Sequence, residues 1–400
     1  MILFDIFLVL IGMYLSCYVL YHLILFIIFI SSKDIPAKPI IPETKFCVLI
    51  PAHNEELLIS RLLLCFKEQV YPKDLFKCFV IADNCADNTV SISSGKGAIV
   101  LERHDKTLFG KGHALKWAFE KIDLTAFDAV LIVDADSVVR DDILLHLDRS
   151  IREGNRAIQC YNGVANPHES WFTRLLHVSR TIGNEIVHPA KQRLGLSSYL
   201  MGNGMCFSTR LLSKFGWDAF TVGEDWEYYA KIVREGESVA YCKNARVFHQ
   251  ESYSMKQATS QRLRWSSGRF AIAWSEGLRI FRQGIMEGNI KKIDAAFPLI
   301  FPNPSLGINI SIMLMMFSIV LPFVGNKYVY AGWFSVLIVI QIFMFVFGIK
   351  YTEEKLKGFL SMFIAPIFLA WKMGIDLLSL FGIGRERWVP TSRKVKSKRN

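Results

Sequence analysis

Four groups of residues in this chain have the types and spacing that chemistry needs, and they recur in one order. Asp83 closes an apolar run, Asp134-Ala-Asp136 closes another, Glu224-Asp225 follows Gly223, and Gln261-Arg-Leu-Arg264-Trp265 precedes a hydrophobic C-terminal third. Two carboxylates two residues apart at a strand end can both reach one hard cation, and Mg2+ commonly bridges one or two carboxylates to substrate phosphates. A bare Asp-x-Asp arises by chance in a chain this long, so the weight of Asp134 and Asp136 comes from their place after Ala129-Val-Leu-Ile-Val133. Glu224 and Asp225 offer a general base, since adjacent acids raise one another's pKa; acids opening a helix also simply favour its dipole. Gln261, Arg264 and Trp265 fall at i, i+3 and i+4, on one helical face. Arg264 can fork onto a departing diphosphate, and Trp265 offers a flat apolar surface to a sugar ring, although Trp and Arg also anchor interfacial helices. Taken together these residues describe displacement at a sugar's anomeric carbon, with a metal–diphosphate leaving and a base acting on an acceptor hydroxyl beside a bilayer.

Three further segments add to the site. Val48-Leu-Ile-Pro-Ala-His-Asn-Glu-Glu56 turns a buried strand into a polar loop, placing Ala52, His53 and Glu55 near a base and ribose. It equally fits a plain helix start with Asn54 as N-cap. Asp83 begins a run of turn-forming residues and is positioned to accept hydrogen bonds from a base or ribose, or to form Asx-turns. Gly110-Lys111-Gly112 lacks the rest of a Walker pattern, which excludes a P-loop kinase or ATPase; Lys111 either meets a phosphate or ribose or is a solvated helix-start lysine. Gly202-Asn203-Gly204 reads as a glycine-rich turn.

The elements that must position these residues alternate. Strands are predicted over 46–52, 77–83, 97–102 and 128–133, with helices over 55–69 and 110–122 between them. Continuous Val/Ile/Leu strands alternating with helices imply an α/β fold with a mostly parallel sheet covered on both faces, in which ligands bind at the carboxyl ends of strands. Further helices are predicted over 166–187, from 209, over 224–235, and over 254–282 as a basic, aromatic amphipathic helix.

The chain has 400 residues, 52% hydrophobic, and a formal net charge of +11. Ile6 to Ile30 is long enough to span a bilayer of ~30 Å, and Lys33, Lys38 and Lys45 after it direct the next segment to the cytoplasm. Leu306 to Val324 and Tyr328 to Ile349 read as a transmembrane hairpin. Phe359 to Ile383 holds Lys372 and Asp376, each costing roughly 2.5–3.5 kcal/mol at a bilayer centre, and is expected to lie on or dip into the cytoplasmic face. The organisation is a transmembrane helix over 1–32, a linker over 33–45, a cytosolic domain over 46–253, an interfacial region over 254–297, the hairpin over 298–350, an interfacial or re-entrant helix over 351–384 and a basic tail over 385–400. The densest positive run is that tail, beside apolar segments, so the charge points to anionic membrane lipids and not to nucleic acid. Eight scattered cysteines lack zinc-type spacing and fit reduced, buried thiols in a cytosolic domain at the cell membrane.

These motifs in this order resemble the membrane-bound family 2 glycosyltransferases, the group of cellulose, chitin, hyaluronan and poly-N-acetylglucosamine synthases. The resemblance implies a nucleotide-diphospho-sugar transferase (GT-A) fold with transmembrane and interfacial helices, and metal-dependent inverting transfer from a UDP-sugar type donor with Mg2+ or Mn2+. It implies that Asp83 and Asp134 bind the nucleotide, Asp136 the metal, and Asp225 acts as base. It also implies that Gln261, Arg264 and Trp265 hold diphosphate and acceptor, with the Gly202-Asn203-Gly204 turn on the acceptor side. Gly223 stands where the family carries a hydroxyl residue. The acceptor is a growing polysaccharide or glycan, with addition of one sugar to a lipid-linked acceptor as the alternative and a non-catalytic membrane scaffold as a second. The sequence does not specify a partner subunit.

Overall fold

The computed structural model describes residues 2–31, 40–322 and 324–384; most of the linker and the basic tail lie outside the described residues. After helix α1 (Ile2–Ser31) the chain builds one sheet. Strand β1 (Phe46–Ala52), helix α2 (Ile59–Lys67), β2 (Phe76–Asp83), α3 (Thr89–Gly95), β3 (Ile99–Arg103), α4 (Lys111–Lys121) and β4 (Ala129–Ile132) follow in order. Alternate residues of a strand face opposite sides. In β1, Cys47 and Leu49 enter one buried cluster and Phe46, Val48 and Ile50 the other. A strand buried on both faces must be apolar throughout, which is why these runs are legible.

The second half of the sheet corrects the mostly parallel expectation. Strands β5 (Ser137–Val139), β6 (Ala157–Val164), β7 (Met205–Ser208) and β8 (Val239–His249) complete eight strands in the order β3-β2-β1-β4-β7-β6-β8-β5. Pairings among β3, β2, β1 and β4 are parallel, but β7 runs antiparallel to both β4 and β6, and β5 antiparallel to β8. The sheet is therefore mixed. Its antiparallel strand β7 has only four residues, behind a glycine-rich turn, too short to announce itself as a strand.

Helices α5 (Ile143–Arg152), α6 (Trp171–Ile182), α7 (His188–Arg193), α8 (Thr209–Phe215) and α9 (Glu224–Arg234) flank the sheet. The helix predicted over 166–187 begins at Trp171, capped by Ser170, and passes through a π-helical turn at Gly183–Val187 into α7. The predicted 254–282 helix is likewise interrupted, with a π-helical turn at Ala273–Gly277 between α10 (Met255–Ile272) and α11 (Leu278–Met286).

Helices α12 (Ile290–Ile300), α13 (Pro304–Val320), α14 (Lys327–Ile349), α15 (Lys355–Ser361) and α16 (Ala365–Leu380) complete the chain. Among the described residues three helices are long and apolar enough to cross a membrane: Ile2–Ser31, Lys327–Ile349 and Lys355–Leu380. The α12–α13 pair, bent by 71°, also qualifies when taken together. The charges that set Phe359–Ile383 apart are buried and paired within the protein. Lys372 donates to Asp376 one turn on and to Ser266 of α10 (3.0 Å), and Ser266 donates to Asp376 (3.0 Å). Pairing against α10 offsets part of the cost of burying these charges.

The first apolar helix is tied to the sheet domain by a buried polar knot. Lys191 of α7, fully buried, donates to Asp294 of α12 (2.8 Å) and to the Tyr21 hydroxyl of α1 (3.0 Å), and Tyr21 donates to Asp294 (2.8 Å). Removing one partner leaves a buried charge, at a cost of roughly 3–5 kcal/mol, whereas replacing both ions by apolar groups is often neutral. Lys191→Met should therefore lower the melting temperature of the detergent-solubilised chain well below that of the Lys191→Met/Asp294→Leu pair, a ranking that scanning calorimetry or fluorimetry reads directly.

Candidate active site

The carboxyl ends of β1, β2 and β4 open onto one cavity of about 1110 Å3. It is lined by Ala52, His53, Glu55, Asp83, Lys111, Asp134, Asp136, Gly202, Glu224, Asp225, Gln261, Arg264 and Trp265. Residues spread over about two hundred positions thus converge on one space. Asn203 and Gly204 do not line it. Asn203 is buried behind Asp134, its Oδ1 accepting from the Asp134 amide (3.1 Å) while its Nδ2 donates to Ser137 (2.9 Å). Gly204, at φ +66°, backs onto Cys160 and Val247. The turn supports the Asp134 loop, and of its three residues Gly202 alone faces the site.

At the β1 end the chain does not enter a helix at Glu55. Asn54 adopts a left-handed conformation (φ 56°) and accepts from the Ala86 amide (2.8 Å), and α2 starts at Ile59. Asn tolerates that region better than most residues. Asn54 is therefore a brace between the β1 and β2 loops, not an N-cap. His53 Nδ1 lies 2.7 Å from the Asp83 carbonyl. Asp83, last in β2, sits opposite Arg103, last in β3, and accepts from its guanidinium at 2.7 Å. Burial raises the Asp83 pKa, with Arg103 opposing it.

Lys111 is the hub. At the first turn of α4, its ammonium donates to Asp134 Oδ1 (2.6 Å) and to the Gly202 carbonyl and lies 3.7 Å from Glu224 Oε1. Burial works against its charge, but Asp134 and Glu224 outweigh burial and raise its pKa. It is neither solvated nor free, and so departs from the plain helix-start reading. Glu224 and Asp225 open α9 beside it. Burial first, then the neighbouring Glu224, pushes the Asp225 carboxyl up to about 7; burial likewise raises Glu224. Gly202, at φ +76°, lets the turn pass close by: a Cβ there would stand 3.2 Å from Asp225 Oδ2.

Gln261, Arg264 and Trp265 share one face of α10, as their spacing requires. The Arg264 guanidinium makes no hydrogen bond or ion pair with another described residue. Burial lowers its pKa while Glu224 and Asp134 act the other way, so its charge looks toward the acids. Trp265 carries the Arg262 guanidinium over its ring at 4.6 Å. Asp134 and Asp136 both line the cavity and carry the oxygen donors that a hard cation takes, with Asp134 Oδ1 held by the Lys111 ammonium in this structure. No cluster of three or more His, Cys, Asp or Glu side chains arranged to hold an ion by itself occurs among the described residues.

Several residues at or behind the wall escaped the sequence reading. Glu251, buried, accepts from Arg262 (2.6 Å) and Arg180 (3.3 Å) and lies 3.0 Å from His249 Nε2. Burial would raise its pKa, but Arg262, His249 and Arg180 outweigh burial and hold the carboxyl well below its usual range. The polar pattern His249-Gln-Glu251 at a strand end was the available signal. Arg103 and Arg180 had none, because their partners lie 20 and 71 residues away.

The acid pair and the basic helix are held together by glycines. A Cβ on Gly268 would meet the Gly223 amide nitrogen at 3.1 Å, so α9 and α10 touch backbone to backbone one turn beyond Arg264. The constraint falls on Gly268, since a Cβ on Gly223 would meet Gly268 only at 3.5 Å. Overpacking such a contact costs typically 1–3 kcal/mol. Gly268→Ala should therefore destabilise the protein by about that amount in thermal melts, while Gly95→Ala, where a Cβ meets nothing within 4 Å, should change stability little.

A family model described as "Glycosyltransferase like family 2" matches residues 42–268. A probable glycosyltransferase, YdaM, of Bacillus subtilis is 25% identical over 240 residues, 56% of this chain and 55% of that protein. A β-monoglucosyldiacylglycerol synthase of Trichormus variabilis is 29% identical over 187 residues, 44% of this chain and 39% of that protein. The chain spans about half the length of the curated relatives it matches. A mannosyltransferase of Pyrobaculum calidifontis, solved in complex with GDP-Man and Mn2+, superposes with a TM-score of 0.51 at 18% identity. The match covers 84% of this chain and 98% of that one, a likeness of fold.

Proposed function

From the premise that this chain belongs to the glycosyltransferase-like family 2 and has a GT-A-like fold, we propose that it moves a sugar from a nucleotide-diphospho-sugar, of UDP type, to an acceptor hydroxyl with inversion. The observation that carries this reading is the single cavity shared by Asp83, Asp134, Asp136, Asp225 and the Gln261–Trp265 face. The catalytic unit lies at the cytoplasmic face of the cell membrane, with helices on either side of it in sequence entering the bilayer.

In this reading Asp83, with Ala52, His53 and Glu55, receives the nucleoside. Asp134 and Asp136 would hold Mg2+ or Mn2+, which supplies charge stabilisation to the diphosphate when bound. Arg264 and Lys111 face the same phosphates. Asp225 takes the proton from the acceptor hydroxyl as its oxygen bonds to the anomeric carbon, and the bond from that carbon to the diphosphate oxygen breaks on the opposite side. The nucleoside diphosphate leaves with that electron pair, and preorganised charge at the leaving group carries most of the acceleration. Gln261 and Trp265 position the acceptor sugar or head group. A non-catalytic scaffold would have no need for a carboxylate tuned to about 7 beside an arginine facing the site.

General bases contribute typically 10²–10⁴-fold. Asp225→Asn should lower transfer from a labelled nucleotide-sugar by at least ~10²-fold while calorimetry with UDP and Mn2+ finds nearly unchanged binding; undiminished turnover would reject Asp225 as base. The base must be ionised to act, so kcat/KM should climb as pH rises through about 7. A pH profile flat between about 5.5 and 8.5 counts against the assignment.

A further inference from the structure

Resting on the transferase reading, we infer that the acceptor is an amphipathic membrane lipid. Its apolar tail lies between α13, α14 and α16 and its hydroxyl-bearing head reaches Asp225. The cavity does not end with the residues that would hold a donor. The same wall continues through Tyr199, Trp226 and Arg269 to the break between α12 and α13. It then passes between helices lined by Ile308, Ile312, Ile342, Phe345, Phe368 and Leu369. Its volume of about 1110 Å3 lies just above the roughly 300–1,000 Å3 usual for a ligand pocket, and its wall runs on from the donor end into the helices.

The polarity of this wall changes along its length. Acids and Lys111 stand at the donor end. Arg180 and Arg262, which share Glu251 behind the wall, and Arg269 stand in the middle. Aliphatic and aromatic side chains of α13, α14 and α16 dominate the far end, where Gln341 and the Asp376-paired Lys372 also reach the wall. A hydroxyl-rich glycan threaded between Ile312, Phe345 and Leu369 would leave its donors and acceptors without partners, whereas an acyl or prenyl chain exchanges one apolar surrounding for another. Only a molecule with a polar head and an apolar tail matches the whole gradient.

The helix break supports the same path. Pro302 lies in the break between α12 and α13, Pro304 opens α13, and Arg269 donates to the carbonyls of Pro298 (3.0 Å) at the end of α12 and Phe301 (2.6 Å) in the break. Irregular backbone at membrane depth is tolerated where it is buried or lines a cavity. Here it lies where a head group would pass from the apolar groove to Asp225.

The test uses the full chain in phosphatidylglycerol vesicles containing either diacylglycerol or polyprenyl phosphate, a water-soluble oligosaccharide as third acceptor, and a panel of labelled UDP- and GDP-sugars. Label is expected in the organic phase with one of the vesicle lipids. Ile312→Trp and, separately, Leu369→Trp should reduce it at least tenfold with UDP–Mn2+ affinity within twofold of the parent. Label appearing in water-soluble polymer or oligosaccharide overturns the inference. So does donor turnover without organic-phase product, or lipid labelling that neither tryptophan diminishes. Absence of any nucleotide-sugar binding or turnover overturns the transferase reading itself, and the lipid acceptor with it.

Discussion

One ammonium group holds the centre of this molecule together. Three carboxylates, Asp134, Glu224 and Asp225, come from two distant segments and face one cavity, and in a low-dielectric setting they repel one another. Lys111 lies against the first two and against the Gly202 carbonyl, so the start of α4, the end of β4, the glycine turn and the start of α9 share a single cation. That charge opposes the rise in the Glu224 and Asp225 pKa values that burial imposes, which leaves Asp225 near neutrality and not fully protonated. The Gly223–Gly268 contact then brings Arg264 and Trp265 up to the same acids.

How much of this was legible depends on the neighbours of each residue. Asp83 and Asp134 could be placed because β1, β2 and β4 are buried on both faces and hence continuously apolar, so the first polar residue after each run marks a strand end. Gln261, Arg264 and Trp265 could be placed by helical period alone. The second half of the sheet was not legible, because the four residues of β7 make no pattern and its direction is set by the returning chain. Asn54 deceived as an N-cap because the same side chain that caps helices also tolerates a left-handed backbone. Asn203 and Gly204 read as acceptor-side residues because a glycine-rich turn is informative about backbone freedom and silent about which way it faces. Arg103, Arg180 and Glu251 were invisible for a different reason: buried ion pairs form across register and between layers, and no local spacing records them.

The aromatic, basic character of α10 illustrates how composition underdetermines environment. Such a helix suits a membrane surface, yet here its small residues, Ser266, Ser267 and Gly268, are buried against α9 and α16. Its Gln261–Trp265 face turns to the cavity. The exposed apolar side chains, Trp274 and Leu278, come only with the π-helical turn and the helix beyond it. The helix is a partition between the sheet domain and the apolar helices, reading the first with its charged face and the second with its serines.

That partition has a consequence for how the chain is made. Lys372 and Asp376 find their partners in Ser266 of α10, and Asn303 reaches Asp376 at the α12–α13 break. Both partners leave the ribosome 73 to 110 residues before the helix that needs them. The partners of Lys372 and Asp376 are therefore already synthesised when α16 emerges, and the pairing that buries its charges waits on no later part of the described chain.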